Sequence, residues 1–330
     1  MKRHLLLFLF LIGGMCSCAQ KETTKLQSIH FPRASGKSLS DQMNVDRLIR
    51  LETNEECLIG DIADVQCVGD DIYIVDFRYA KSVFHFDRSG KFIKKISSVG
   101  NGPEEYVLPI SFAIDSDNDK IYLIDGATGN MLTYNLSTFE FIQKRSISGI
   151  SLFYHKESFY LYDPMSEVID SKPQPFYVHS YDTSLVYKGS CVPLEFETGY
   201  VMGPKRRFSV YEDRLRFVPP FSNQVVEIDN HTSTPIYTFE FAQGVIPPLD
   251  FLTARKDNLP SELMKENFVN YYNFMESSLS LFVPYSTNQE TFVGIYDKLK
   301  GTSQSFTLSD KNSWISTFNP IASINDQVVF

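Results

Sequence analysis

The chain has 330 residues, 43% of them hydrophobic and 22% charged, a composition that excludes a disordered or fibrous protein and allows a large buried core. Its 27 Phe and 18 Tyr against a single Trp favour strands over helices. The formal charge is −9 and there is no sizeable basic patch, which argues against nucleic acid as a partner.

The first element is a leader. Lys2 and Arg3 precede an apolar run from Leu5 to Ile12, followed by Gly13, Gly14, Met15, Cys16, Ser17 and Cys18, the charged, apolar, small-residue order of an export signal. The run is too short to span a bilayer, for which about 20 apolar residues are needed. Its MCSC end resembles a bacterial lipobox, which implies cleavage after Ser17 and a lipid on Cys18; an ordinary cleaved signal is the plainer alternative. Acyl chains on Cys18 would anchor an otherwise soluble protein, at roughly 0.8 kcal/mol per buried CH₂. Loss of Lys2 and Arg3 with residues 1–17 leaves the mature chain more acidic by two charges.

Residues 18–45 are polar, with KETTK and SGKS stretches, and are expected to form a flexible tether between membrane and domain. AQKET after Cys18 resembles the short surface-export tags of some Gram-negative lipoproteins. Three further cysteines, Cys57, Cys67 and Cys191, cannot all pair within one chain. Cys57 and Cys67 would bridge if they faced each other on neighbouring strands, and are otherwise buried thiols. With no CxxC and no His nearby, a structural zinc site is not expected.

From Gly69 onwards the chain repeats. GDDIYIVDFRYAKSVFHFDRSGKFIKKI (69–96) and NDKIYLIDGATGNMLTYNLSTFEFIQKRSI (118–147) align, each reading strand, turn, strand, turn, strand. Weaker copies begin at Glu157, Glu212 and Ser278. The apolar residue before the second turn falls at Phe86, Tyr134, Tyr181, Ile228 and Tyr296, with separations of 48, 47, 47 and 68 residues. A strand-only period of this length is the signature of propeller blades, each a four-stranded sheet that buries its faces only against its neighbours. Runs such as Ile72, Tyr73, Ile74 and Val75 have no polar side, as expected for a sheet sandwiched between two others. Asp70, Asp71, Asp87, Asn118, Asp119 and Asp297 read as turn formers, with Gly90 and Gly301 supplying positive φ.

The long fourth gap contains residues 247–271, which read as a helical insertion between blades four and five. Ser261 is its expected cap, and Leu263, Met264, Phe268, Val269, Tyr272 and Met275 form its apolar stripe. The predicted fold is therefore an all-β, six-bladed β-propeller over 46–330, built of four-stranded antiparallel blades. The repeats fill a little over five blades. Arg47 to Leu51 is the expected ring-closing strand, and NDQVVF, running to Phe330 inside an apolar strand, leads us to expect an incomplete last blade and a missing C-terminal end, since an open ring would expose unpaired edges.

At LETNEECLIGDI, DDIYIVDF, FDRSGKFIKKI and VGNGPEEYVLP the chain resembles the six-bladed β-propeller lipoproteins of gut bacteria, relatives of NHL-repeat propellers. The resemblance covers about Leu51 to Phe330 and is most specific between Leu58 and Asp125. The family's G-x-G-P-G-E-Y loop is matched by Gly100, Asn101, Gly102, Pro103, Glu104, Glu105 and Tyr106, with Glu104 in place of the third Gly. The resemblance implies a cell-envelope propeller, with no established reaction.

The candidate ligand-binding set is Asn101, Glu104, Glu105 and Tyr106 in this interblade loop, expected at an end of the channel, with Arg78 as its cationic member. The bland alternative is a connector that needs Gly and Pro for its shape. No catalytic motif is present: HExxH, GxSxG and the SxxK set are all missing. The sequence gives no evident cofactor. A metal-dependent hydrolase or lyase at the channel mouth is the rival reading, using a divalent cation and paired carboxylates; DSDND at 115–119 has half of a calcium loop but fits turn chemistry better. His85, His155 and His179 fall on or beside strands, where packing is the commoner use. Tyr79, Tyr106, Phe221, Tyr285 and Trp314 are candidate stacking platforms for sugar, and Lys205, Arg206 and Arg207 form the one basic run. The expected partners are the membrane, through Cys18, and a glycan, a peptide or an envelope protein docked on the insertion.

Overall fold

The computed structural model describes residues 26–36, 39, 46–147, 149–165, 167–169, 172–197, 200, 207–269, 271–272, 274–308, 322–324 and 327–329. The chain forms a β-propeller. After β1 (Gln27–Phe31), blade one comprises β2 (Asp64–Val68), β3 (Asp71–Asp76), β4 (Ser82–Phe86) and β5 (Phe92–Ile96). Blade two is β6 (Pro109–Asp115), β7 (Lys120–Asp125), β8 (Asn130–Asn135) and β9 (Phe141–Ser146). Blade three is β10 (Ser151–His155), β11 (Ser158–Tyr162), β14 (Phe176–Asp182) and β15 (Tyr187–Pro193), with the small hairpin β12 (Glu167–Ile169) and β13 (Lys172–Gln174) between its middle strands. Blade four is β16 (Phe208–Tyr211), β17 (Arg214–Phe217), β18 (Gln224–Asp229) and β19 (Thr232–Phe241). In blade five, β20 (Tyr271–Tyr272) and β21 (Met275–Glu276) share the innermost position before β22 (Ser280–Ser286), β23 (Thr291–Asp297) and β24 (Thr302–Thr307).

Within each blade successive strands pair antiparallel. Consequently the turns after the first and third strands lie on one face, here called lower, and the turns after the second strand and the interblade loops lie on the upper face. The inner strands surround the axis: β6 abuts β10 and β16 abuts β21. A last hairpin, β25 (Ala322–Ile324) with β26 (Gln327–Val329), places β25 against both β21 and β2. It thus occupies the inner position of a sixth blade, between the fifth and the first.

The repeat arithmetic has a direct structural counterpart. Phe86, Tyr134, Tyr181, Ile228 and Tyr296 all lie towards the end of the third strand of their blades. Five of the six residues of β3 are buried, as are five of six in β7, because each sheet packs both faces on neighbours. Tyr73 and Val75 of blade one meet Phe112, Ile121 and Leu123 of blade two in one such interblade core. Turns follow the acidic residues as expected. Asp87 accepts from Ser89 N at 2.8 Å with Gly90 at φ 86°, and Asp115 accepts from the backbone and side chain of Asn118 at 3.1 and 2.9 Å.

Three expectations are corrected. The segment expected to be a flexible tether contains β1, which pairs parallel with β19 as a fifth strand of blade four, Gln27 opposite Tyr237 and Phe31 opposite Phe241. Its alternation explains this: Ile29 and Phe31 are buried while Ser28 and His30 face outwards, the pattern of a strand with one apolar face. Residues 47–51, expected as the closing strand, are not a strand. The backbone continues along the lower turn of blade one, with Glu52 N donating to Gly90 O at 2.7 Å, and Leu48 is exposed.

The third correction concerns the insertion. Helical turns are confined to α1 (Leu249–Ala254), a 3₁₀ turn (Lys256–Asn258) and α2 (Leu259–Leu263). Ser261 lies inside α2 and donates to Asn258 O at 2.9 Å rather than capping it. Leu252, Leu259 and Leu263 bury against Phe196 and Phe268, but the expected stripe breaks at exposed Met264, and Val269 belongs to the core between blades four and five. Cys57, Cys67 and Cys191 form no disulfide with one another, and Cys57 and Cys67 pack in the same apolar cluster of blade one.

Candidate site at the upper channel mouth

The GNGPEEY loop leaves the outer strand β5 and returns to the inner strand β6. Its shape is set by its own residues: Glu105 Oε2 accepts from Gly102 N at 2.7 Å, and Gly100 N donates to Tyr106 O at 2.9 Å. A Cβ on Gly100 would lie 2.0 Å from the Glu105 carboxylate, so a larger residue here would displace that side chain from its bond to Gly102. Lys144 of outer strand β9 donates to Glu105 O at 2.6 Å, which lays the tip on blade two, away from the axis. Tyr106 is fully buried and its hydroxyl donates to Lys81 O at 2.6 Å; burial pushes its phenol pKa up. Asn101 and Glu104 are exposed on this outer rim. These contacts place Asn101, Glu104, Glu105 and Tyr106 beside outer strand β9 of blade two, and none of the four lines the space at the channel mouth described below.

Arg78 sits on the upper turn of blade one, its guanidinium 5.3 Å from the ring centre of exposed Tyr79. That turn is built by Asp76, a fully buried carboxylate that accepts from Gly60 N at 2.8 Å, Asp61 N at 3.1 Å, Arg78 N at 2.9 Å and Tyr79 N at 2.8 Å. Burial alone would raise its pKa, but the backbone N–H groups outweigh it and hold the carboxyl below the usual carboxylate range. Asp125 does the same in blade two, accepting from Leu108 N at 2.9 Å, Val107 N at 3.2 Å and the Thr128 hydroxyl at 2.7 Å, and its pKa is likewise depressed against the effect of burial. Each ties the upper turn of its own blade to the loop entering that blade. The signal was present in the aligned repeats as IVD and LID, one strand beyond the turn acids.

At the upper mouth of the channel the first residues of four inner strands converge. Asp64 and Gln66 come from β2, Ser111 from β6, Ser151 from β10, and Arg207 lies immediately before β16. Phe77, Phe153 and Phe208 supply aromatic walls, with Phe153 stacked on Phe208 at 5.6 Å between centroids. Arg207 is buried, stands 4.4 Å over the ring of Tyr162 and donates to Val218 O at 3.3 Å. Gln66 donates to Phe112 O at 3.2 Å and the Ser111 hydroxyl accepts from Leu152 N at 2.8 Å. The space between these groups is about 30 Å³, room for roughly two waters.

The profile of a family described as a 6-bladed β-propeller, DUF5128, matches residues 18–329. The chain belongs to this family. A Bacteroides fragilis protein inferred to be exported has a similar structure, with a TM-score of 0.78 and 25% identity over 86% of this chain and 81% of its own. A member of the DUF4221 family from Bacteroides vulgatus shares the fold, with a TM-score of 0.55 and 10% identity over 78% of this chain and 84% of its own. No functionally curated protein matches the chain.

The remaining candidates of this DUF5128 propeller are placed as follows. Tyr285 is fully buried in the core, stacked on Phe292, and Phe221 packs edge-on against Phe196 beneath the insertion. His85 stacks on Tyr73 at 4.6 Å, and His179 is buried with Nδ1 2.7 Å from the Ser190 hydroxyl, its pKa lowered by burial to about 4. Cys18, Lys205, Arg206 and Trp314 lie outside the described residues. Among the described residues no group of three His, Cys, Asp or Glu side chains is gathered that could hold a metal ion, and no helix is long and apolar enough to cross a membrane.

Sequence reasoning missed one further group of charges. Glu276, buried at the end of β21, accepts from Tyr237 at 2.7 Å, pairs with Lys298 at 2.9 Å and lies 3.4 Å from Arg216, which also pairs with Glu227. Burial first, and the adjacent carboxylate second, push the Tyr237 phenol pKa up. The network crosslinks blades four and five near the lower face, so its role is structural.

Proposed function

We propose that this protein is a cell-envelope lipoprotein, anchored through Cys18, whose propeller binds a glycan end-on at the upper channel mouth. The observation that carries the proposal is the convergence of Asp64, Gln66, Ser151 and buried Arg207 with Phe77 and Phe153 around one small space at this mouth. Aromatic walls with a few convergent polar groups are the usual composition of a small-ligand site. The export of the lipid-anchored chain is supported by the Lys2 to Cys18 leader and by the similarity to a Bacteroides protein inferred to be exported. The hydrolase reading is the less supported, because the upper-face carboxylates of Asp76 and Asp125 are already engaged by backbone N–H groups. The buried face of α1 and α2 packs on Phe196 of the propeller itself, which leaves an insertion-docked protein partner with less support than a ligand at the mouth.

Melting temperatures of the soluble chain starting after Cys18 test the proposal against chelator, divalent cations, oligosaccharides and peptides. A ligand that binds the native state stabilises it by about 2.7 kcal/mol at a hundredfold excess over Kd. The proposal expects a rise with one class of oligosaccharide and none with cations. A fall with chelator reversed by one cation would favour the hydrolase, and a rise with peptides alone would reassign the ligand.

A further inference from the structure

We propose that the lower tip of blade five, Leu279 and Leu299 with Lys300, rests in the interfacial layer of the membrane that carries the Cys18 lipid. The inference depends on the anchored-lipoprotein reading above and adds an orientation to it.

Pairing of β1 with β19 shortens the leash. Eight residues, 19–26, separate Cys18 from Gln27, so covalent geometry allows a span of at most about 30 Å between the lipid-bearing residue and the propeller. β1 runs parallel to β19, and β19 rises from the lower turn of blade four, so the leash enters at the lower face. The entry point is fixed more closely by Gln27, whose side chain donates to the Tyr296 hydroxyl at 2.6 Å. That hydroxyl stands 3.9 Å from the position a Cβ would take on Gly301, which places the leash beside the turn of residues 298–301.

The same turn carries the apolar tip. Leu299 is 81% exposed and Leu279, in the neighbouring turn, 57% exposed. The two turns are joined by Lys298 N donating to Leu279 O at 2.9 Å. Lys300 extends beside them, 76% exposed and paired with Asp297 at 2.8 Å. Two large exposed apolar side chains with a lysine at their edge have the chemistry of an interfacial anchor, apolar groups entering the acyl boundary while the ammonium stays at headgroup level. In this orientation the upper mouth faces away from the bilayer.

The test uses the full-length protein purified from membranes, with Trp314→Phe as background so that one introduced Trp reports. Leu299→Trp probes the lower tip and Tyr79→Trp the upper face, each in phosphatidylethanolamine and phosphatidylglycerol vesicles doped with brominated phosphatidylcholine. The expected result is several-fold stronger quenching at residue 299 than at residue 79, weakened by adding Leu279→Glu. Equal quenching at both positions, or stronger quenching at residue 79, would overturn the docking. Intact mass separates the two readings: acylated protein without a face difference sinks the docking alone, whereas a chain without acyl groups on Cys18 sinks the anchor and the docking with it.

Discussion

Asp76 shows how one residue shapes the upper face. Four backbone N–H groups from two separate segments converge on its buried carboxylate, and removing it strands them all. Asp76→Ala is expected to lower stability by about 2–3 kcal/mol, read by urea unfolding. The pH dependence follows from the depressed folded-state pKa. The stabilisation is complete above the unfolded carboxylate's value, about 4, and is lost as pH falls through the lower folded-state value. Asp76→Asn should therefore flatten the acid limb of the melting temperature profile; an unchanged acid limb would remove Asp76 from this role. Turn acids such as Asp87 and Asp115 were legible because their partners lie within a few residues. The partners of Asp76 at Gly60 and Asp61 belong to a different segment, and no local pattern announces them. Tyr106 shows the converse: an aromatic in a Gly-rich loop reads as a ligand contact, yet its ring fills the core between blades one and two.

At the scale of elements, β1 is the strand that sequence reasoning took for tether. Its two buried residues, Ile29 and Phe31, sit among polar neighbours, and pairing with a strand some two hundred residues away leaves no local trace. Phe31 packs over Gly294 of blade five, where a Cβ would lie 2.5 Å from its ring. Phe31→Ala is expected to cost about 3–5 kcal/mol, and a chain starting at Asp46 should melt well below one starting at Leu26. Equal melting temperatures for those two chains would return residues 26–45 to a tether. The Glu276 network crosslinks the same two blades. Because deleting one member leaves buried charge without its counterpart, Glu276→Ala should destabilise by about 3–5 kcal/mol in equilibrium unfolding, far more than an exposed ion pair such as Lys156 with Asp213. The insertion was legible as helical but not in extent, since its apolar residues serve three different packing surfaces rather than one helix face.

For the whole molecule, the period of about 47 residues was enough to identify blades, because each blade repeats the same burial problem. The mouth was not legible. It takes Asp64, Ser111, Ser151 and Arg207 from four blades, residues far apart in sequence that share a strand-start position and no motif. The same ring geometry sets the mouth and the lower tip of blade five on opposite faces, so the proposed ligand capture and the proposed membrane contact would not compete. The most direct measurement is oligosaccharide-array binding by the soluble chain, followed by titration of its strongest hit into wild type, Asp64→Ala, Phe77→Ala and Glu104→Ala. The account predicts that Asp64→Ala and Phe77→Ala each weaken binding about tenfold or more, at 1.4 kcal/mol per factor of ten, while Glu104→Ala on the outer rim leaves it unchanged. Binding that survives both mouth substitutions and is lost with Glu104→Ala would contradict it.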